Sequence, residues 1–255
     1  MVNSKPIVLL IGGHDPTGGA GIIADAQSVA MNDCYPVSLI TCLTSQNTKE
    51  FIDLKITDPS FLFNQAKTLI KDIKIDAIKI GALGNDKIIE VILDIIKLSK
   101  TKEIILDPVL RSSSRGKFLD KAGFKALKEE LIPMVSLITP NIEEARLISE
   151  KNNYLEIGSS LSELGANFCL VKDNSNAKEI KNVLFKKDNL IREWKVRKIK
   201  GEFQGTGCSL SSAIASNVAK KNSIEESVEI AQEFVIKTLK LSLTIGRGQK
   251  IPLRF

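Results

Sequence analysis

The chain has 255 residues, of which 43% are hydrophobic and 26% charged, and its formal net charge is +6. This composition is typical of a globular protein with a sizeable core. The basic charge does not indicate a nucleic-acid partner, because lysines cluster only at 195–200 and aromatic residues, at 5%, provide no platform for stacking bases.

The cysteines and the N-terminal apolar run exclude two further classes of protein. Cys34, Cys42, Cys169 and Cys208 lack CxxC spacing, so neither a disulfide framework nor a zinc site is expected. The apolar run at 7–11 is far shorter than the roughly 20 residues that cross a bilayer, and no small-residue cleavage site follows it. We therefore expect a cytoplasmic protein with no membrane partner.

Apolar runs alternate with segments of helical periodicity along most of the chain. The first half predicts strand 7–13, helix 21–32, strand 37–46, helix 61–73, strand 77–83, helix 87–99 and strand 103–110. The second half predicts a helix near 119–131, strand 136–140, helix 142–150, strand 168–173, a β-like pair within 182–199, and helices near 208–221 and 224–241. Apolar strands alternating with helices favour a mainly parallel sheet covered on both faces. We predict one α/β domain over residues 1–255.

Polar or glycine-rich segments follow most of the predicted strands. In chain order they are GGHDPTGGAG, TSQNT, GALG, DPV, TPNIEEA, KDN and GEFQGTGC. Ligands of such sheets bind in the crevice outside the carboxyl ends of the strands. Turn-forming glycines are expected after strands in any case, but this many polar ends at one edge predict a ligand site.

The segment Gly205-Thr206-Gly207-Cys208 opens a predicted helix of small residues. Unpaired N–H groups at a helix start, with the helix dipole behind them, form an anion site, and glycine allows a phosphate to approach the backbone closely. A simple glycine-containing helix start is the alternative. Neither GxxxxGK[ST] nor GxGxxG is present, which argues against a P-loop and a dinucleotide-binding fingerprint.

GGHDPTGGAG, TSQNT, KIGALG, LDPV, LITPNIEEA and GTGC occur in this order and together resemble the ribokinase superfamily. Within it, they resemble the hydroxymethylpyrimidine/phosphomethylpyrimidine kinases of thiamine biosynthesis. The resemblance implies a ribokinase-like three-layer α/β/α sandwich with a mainly parallel central sheet, and a homodimer. It also implies ATP- and Mg²⁺-dependent phosphorylation of 4-amino-5-hydroxymethyl-2-methylpyrimidine and then of its monophosphate.

By the same resemblance, Cys208 occupies the position of the catalytic base, and the amides of Gly205, Thr206 and Gly207 form the anion hole beside it. A thiol with a pKa of about 8.5 is expected to ionise more readily at a helix N-terminus. Phosphoryl transfer depends more on positioning and charge stabilisation than on a strong base, so a thiol is compatible with the reaction. A buried, inert cysteine is the alternative.

Asn141 and Glu144 resemble the family's NxxE element, which organises Mg²⁺ near the phosphates. Their spacing places both on one helix face, and Mg²⁺ is commonly held by one or two carboxylates plus water and phosphate oxygens. Asp107, at a strand end, is expected to support the metal. Lys172 and Thr206 are expected to contact ATP. Helix capping is the alternative for Asn141 and Glu144.

The resemblance places six residues at the pyrimidine: Gly13, Ala20, Asp25, Gln46, Ala82 and Val109. The amide of Gln46 suits a ring that presents both donors and acceptors. Asp25 is equally compatible with a solvated helix position. His14, the only histidine, lies where the family carries Ser or Thr, and we interpret it as a rim residue.

Several departures from the family pattern leave alternatives open. KDN replaces KGG, QGTGC replaces HGTGC, the C-terminal GRGQKIPLRF differs from the family's ending, and Ala82 replaces a methionine, which leaves more room beside the ring. One alternative is a pyridoxal or pyridoxine kinase of the same superfamily. Another is a catalytically silent ligand-binding homologue, although the intact GTGC and NxxE segments argue against it.

Overall fold

The computed structural model of the chain describes residues 5–110 and 118–255. Within these residues, nine strands form one sheet. The strands are β1 (Ile7–His14), β2 (Tyr35–Gln46), β3 (Phe51–Ile56), β4 (Ala77–Ile80), β5 (Ile104–Leu106), β6 (Leu137–Ile138), β7 (Phe168–Asp173), β8 (Glu179–Lys186) and β9 (Asn189–Arg197). The α-helices are α1 (Gly21–Met31), α2 (Pro59–Asp72), α3 (Asp86–Ser99), α4 (Lys121–Ala126), α5 (Ile142–Ser149), α6 (Tyr154–Glu163), α7 (Thr206–Ala219) and α8 (Ile224–Lys240).

The sheet has the strand order β3-β2-β1-β4-β5-β6-β7-β8-β9. The parallel part of the sheet has the order β2-β1-β4-β5-β6-β7. The strands β3, β8 and β9 extend it with antiparallel pairs at the two edges. The parallel strands all end at the same edge, so the segments that follow them are brought together there. This confirms the predicted mainly parallel α/β sheet.

Helices cover both faces of the sheet. In β1, Leu9 and Ile11 belong to the hydrophobic cluster that includes α2, α3, α5 and α6. Val8 and Leu10 belong to the second cluster, with α1, α7 and α8. This alternation follows from the two-residue period of a strand. Because both faces are packed, the central strands are continuous apolar runs, and the protein has three layers.

Two elements lie outside the predicted set. The strand β3 is half exposed at the sheet edge, and its Ile52 is 67% exposed, so it lacks the apolar run of a central strand. The helix α6 contains Gly158 and three serines, which are poor helix formers. Buried Ile157 and Leu161 hold α6 against the core, and a Cβ at Gly158 would collide with the ring of Phe185.

The helix expected near 119–131 is shorter as an α-helix. It runs as α4 and continues through a π-helical turn, Leu127–Leu131, into a 3₁₀ turn, Ile132–Met134. Buried Leu127 and Leu131 face the core, so the apolar periodicity that predicted the helix extends through the π turn.

The helices in the described residues are too short or too polar to cross a membrane. The longest apolar stretches are instead buried in the sheet and in α3.

Candidate active site

A cleft of about 1010 Å³ opens at the carboxyl ends of the parallel strands. Its walls come from segments that are far apart in the sequence, as the topology requires. The structure brings all the predicted site residues to this cleft: Gly13, Ala20, Asp25, Gln46, Ala82, Asp107, Val109, Asn141, Glu144, Lys172, Gly205, Thr206, Gly207 and Cys208. His14 also lies on its wall.

Two glycines shape the backbone at the start of α7. Gly205 precedes the helix with φ of +69°, a conformation that favours glycine. A Cβ there would also collide with the carbonyl oxygen of Gly19. At Gly207 a Cβ would lie 3.3 Å from Nζ of Lys172. The start of α7 therefore has backbone N–H groups without side-chain cover, next to the ammonium group of Lys172. Such a combination favours the binding of an anion.

A charged cluster lies beside that turn. Nζ of Lys172 is 2.8 Å from Oδ1 of Asp107, and the hydroxyl of Thr139 donates to the same oxygen at 3.2 Å. Burial favours the protonated form of Asp107, but the charges of Lys172 and Lys79 together hold the pKa of Asp107 below its usual range. Asp107 is therefore an ionised carboxylate at the cleft.

Glu144 and Asn141 form a capping box at the start of α5. The Asn141 side-chain oxygen accepts from the Glu144 N–H at 2.9 Å, and a Glu144 carboxylate oxygen accepts from the Asn141 N–H at 2.9 Å. The capping alternative is thus present in the fold. Burial raises the pKa of Glu144 to about 7, and the charge of Lys172 offsets only part of that rise. Capping and a role at the cleft are compatible for this carboxylate.

We expect Glu144→Gln to change how stability depends on pH in metal-free buffer. The folded protein keeps a proton on Glu144 between the usual pKa of 4.5 and about 7, whereas the unfolded chain releases it. Stability therefore falls as pH rises through this window, by up to about 3 kcal/mol. Urea unfolding at pH 5 and pH 8 should show this loss in the wild type and not in Glu144→Gln.

Glu143→Gln is the matched control for this prediction, because Glu143 is the exposed neighbour on the same helix. It should keep the pH dependence of the wild type. An identical loss of stability between pH 5 and pH 8 in Glu144→Gln and the wild type would contradict the assignment.

The thiol of Cys208 lies in the first turn of α7 and is only partly exposed. Burial raises the pKa of Cys208 to about 11, although the charge of Lys79 and the Gly21 N–H lower it in part. The expectation that the helix N-terminus leaves this thiol with a lowered pKa is therefore wrong for the free protein. The charges of Asp25 and Asp107 add to the rise that burial causes.

Asp25 lines the cleft, as predicted, with its carboxylate engaged inside the protein. It is fully buried in α1, and its two carboxylate oxygens are bonded within the protein. One is 2.8 Å from Nζ of Lys79 on β4, and the other accepts from the hydroxyl of Ser212 on α7 at 2.8 Å. Asp25 therefore ties α1, β4 and α7 together beneath the cleft.

The same cleft is lined by the residues expected at the pyrimidine. Gln46 ends β2 and is partly exposed. Gly13 leaves room beside Cys42, because a Cβ would lie 3.0 Å from its Sγ. The hydroxyl of Thr41 donates to the carbonyl of Ala82 at 2.6 Å, which fixes the backbone there.

Residues that support the site were missed by the sequence prediction. Lys79 left a weak signal, since a lysine within an apolar strand is unusual. Asp15 and Gln204 lie in motifs that were recognised, but nothing indicated that Gln204 Nε2 donates to Asp15 Oδ2 at 2.8 Å. Arg254 left no signal, because its partners are more than 40 residues away.

Comparison with known proteins gives a consistent result. The family model described as phosphomethylpyrimidine kinase matches residues 15–253. A hydroxymethylpyrimidine/phosphomethylpyrimidine kinase from Aquifex aeolicus (strain VF5) is 34% identical over 251 residues, which cover 96% of this chain and 98% of the relative.

Solved structures show the same relationship. The crystal structure of phosphomethylpyrimidine kinase from Clostridium difficile 630 has a TM-score of 0.80 at 30% identity, covering 92% of this chain and 100% of that one. The ADP complex of Bacillus subtilis pyridoxal kinase has a TM-score of 0.87 at 25% identity and covers 98% of both chains. These likenesses confirm the predicted ribokinase-like sandwich.

Proposed function

Because the chain belongs to the phosphomethylpyrimidine kinase family, we propose that it transfers the γ-phosphoryl group of ATP to the hydroxymethyl group of 4-amino-5-hydroxymethyl-2-methylpyrimidine, and then to the monophosphate formed. The protein is thus a phosphotransferase, and the resemblance assigns it to thiamine biosynthesis. One observation carries the proposal: a single cleft is lined by the amide turn at Gly205–Cys208, by the neighbouring Lys172 and by Gln46.

Different residues of the cleft have different roles in the phosphoryl transfer. The hydroxyl oxygen of the pyrimidine forms a bond to the γ-phosphorus while the bond from that phosphorus to the β,γ-bridging oxygen breaks, and ADP leaves. The hydroxyl proton passes to the thiolate form of Cys208, which becomes the neutral thiol. The amides at the start of α7 and the ammonium of Lys172 stabilise the charge on the phosphoryl oxygens.

The carboxylates near the amide turn fit a magnesium ion. Asp107 is ionised, and the pKa of Glu144 is raised to about 7 by burial, so a cation that contacts both would relieve the cost of a buried charge. No group of three or more metal-ligating side chains is present in the described residues, as expected for an ion held mainly by phosphate and water. Asp107 and Glu144 would hold Mg²⁺, which screens phosphate charge when it is bound.

A phosphate-transfer assay on the purified protein tests the proposal. With ATP and Mg²⁺, we expect turnover of hydroxymethylpyrimidine and of its monophosphate. Pyridoxal is the informative competitor, because Ala82 leaves room beside the ring and a pyridoxal kinase shares the fold. A higher kcat/KM for pyridoxal would overturn the substrate assignment. Binding of the pyrimidine without turnover would support the silent homologue instead.

We expect Gln46→Leu to raise the KM for the pyrimidine by about 10–100-fold and to leave the KM for ATP unchanged. The leucine keeps the volume of the side chain but leaves the polar groups of the ring unpaired. Initial rates at varied pyrimidine and ATP concentrations measure both constants. Gln65→Leu, at an exposed position on α2, should change neither constant, and equal effects on both substrates would contradict the role of Gln46.

Small molecules are the partners that this function requires. Homodimer assembly stays a prediction from the resemblance, and a cytoplasmic location stays a prediction from the N-terminal sequence.

A further inference from the structure

Arg254, the penultimate residue of the chain, is buried in the interior of the protein. It is 1% exposed, which is unusual for a charged residue. Its hydrogen-bond partners are the hydroxyl of Ser209 and four backbone carbonyls. A buried guanidinium is costly unless its donors are satisfied. Here Nε donates to the Ser209 hydroxyl, and the two Nη atoms donate to backbone carbonyls of two loops.

The four carbonyls belong to the two loops that meet at the amide turn. Arg254 donates to Gly19 at 2.9 Å and to Gly18 at 3.5 Å in the loop at 15–20. It also donates to Gln204 at 3.5 Å and to Gly205 at 3.4 Å in the turn before α7. One side chain therefore fixes both loops to each other and, through its Nε, to the first turn of α7.

Peptide geometry links these carbonyls to the anion site. In a trans peptide the C=O and the following N–H point in opposite directions. The carbonyls of Gln204 and Gly205 share peptide units with the N–H groups of Gly205 and Thr206. Arg254 donates to the Gln204 carbonyl, and it joins the N–H and hydroxyl of Ser209, at 3.0 and 2.9 Å, as a third and longer donor to the Gly205 carbonyl. The N–H groups of Gly205 and Thr206 therefore point away from these donors, and both residues line the cleft.

The loop at 15–20 is held from its other side by Asp15. The Asp15 carboxylate accepts from the N–H groups of Thr17 and Ala20 at 2.9 Å and from Nε2 of Gln204 at 2.8 Å. The N–H of Ala20 belongs to the same peptide unit as the Gly19 carbonyl that Arg254 binds. That peptide plane is thus fixed at both ends.

We propose that Arg254 is a positioning residue that locks the 15–20 loop against the 204–205 turn, so that the amides at the start of α7 face the transferred phosphoryl group. The proposal rests on the function proposed above. Its contacts are with the backbone beside the turn, so it acts through those amides and not on the pyrimidine. A misplacement of about 1 Å in such a site costs about 10²-fold in rate.

Arg254→Met tests the proposal. We expect kcat to fall by about 10–100-fold, with the KM for the pyrimidine within about threefold of the wild type. Hydrogen exchange of peptides covering 15–20 and 204–209 should become faster. Guanidinium chloride at about 10 mM should restore part of the lost kcat by occupying the vacated space, and urea at the same concentration should not.

Arg247→Met is the matched control, because Arg247 is an exposed arginine of the same C-terminal segment; it should leave kcat and exchange unchanged. If Arg254→Met fails to fold, Arg254→Lys is measured in the same way, since one ammonium cannot serve five acceptors. A folded variant with kcat within twofold of the wild type, or with a loss that guanidinium does not relieve, would overturn the proposal. Exchange of the peptides covering 15–20 and 204–209 can be measured without turnover. It therefore tests the role of Arg254 even if the protein does not catalyse the proposed reaction.

Discussion

Cys208→Ala is expected to lower kcat by about 10²–10⁴-fold, while the dissociation constants of ATP and the pyrimidine change by less than about threefold. The alanine removes the proton acceptor, but the amides of the turn and Lys172 remain to bind the phosphates. Isothermal titration measures binding, and a coupled ADP-release assay measures kcat. Turnover equal to that of the wild type would show that the thiol is not the base.

The pH profile gives a second, independent readout. Burial raises the pKa of Cys208 to about 11, so the thiolate fraction grows about tenfold with each pH unit above neutrality. We expect kcat/KM of the wild type to rise with pH from 7 to 9 and that of Cys208→Ala to lack this rise. Cys34→Ala, at a buried cysteine in the second cluster, is the control and should keep the wild-type profile.

Lys79→Met is expected to lower the free energy of unfolding by about 3–5 kcal/mol. The side chain of Lys79 is fully buried and is 2.8 Å from the equally buried Asp25. Burial disfavours its ammonium, but the carboxylates of Asp25 and Asp107 and the thiolate form of Cys208 together raise the pKa of Lys79 above its usual range. Removing it leaves an unpaired carboxylate in the core. Urea unfolding at pH 7 measures the loss.

A double-mutant cycle isolates the ion pair from the loss of packing. Lys79→Met combined with Asp25→Asn should recover part of the stability, because the second change removes the unpaired charge, with a coupling of about 1–3 kcal/mol. The exposed pair Lys97–Asp94 on α3, 3.1 Å apart, is the control, and Lys97→Met should change little. Additive effects in the Lys79–Asp25 cycle would contradict a coupled pair.

The central fold could be predicted from the sequence because its signal is local. Apolar runs such as 7–11 and the helical periodicity of 87–99 are imposed by a sheet that is packed on both faces, so they appear in the chain itself. The strand β3 and the helix α6 could not be predicted in this way. The strand β3 depends on its pairing with β2, and α6 depends on the burial of Ile157 and Leu161 and on close packing against the ring of Phe185, and no local pattern records these contacts.

The location of the site followed from the same logic. Once the strands are parallel, the segments after them must meet at one edge, and Gly13, Gln46 and Cys208 lie around one cleft there. The roles of some residues did not follow. The pairing of Asp25 with Lys79 and the raised pKa of the Cys208 thiol could not be predicted, because both depend on how completely the surrounding chain excludes water.

The sequence by itself determined the layered architecture, the family and the edge of the sheet at which the ligand site is expected. Periodic apolar patterns indicate the architecture, and short motifs indicate the family and the site. Only the tertiary structure decided which charges are buried and what holds the amide turn. Asp15 reaches Gln204 across 189 residues, and Arg254 reaches Gly19 across 235. Such contacts arise when the folded backbone brings distant donors and acceptors together out of water, and no local pattern in the chain specifies them.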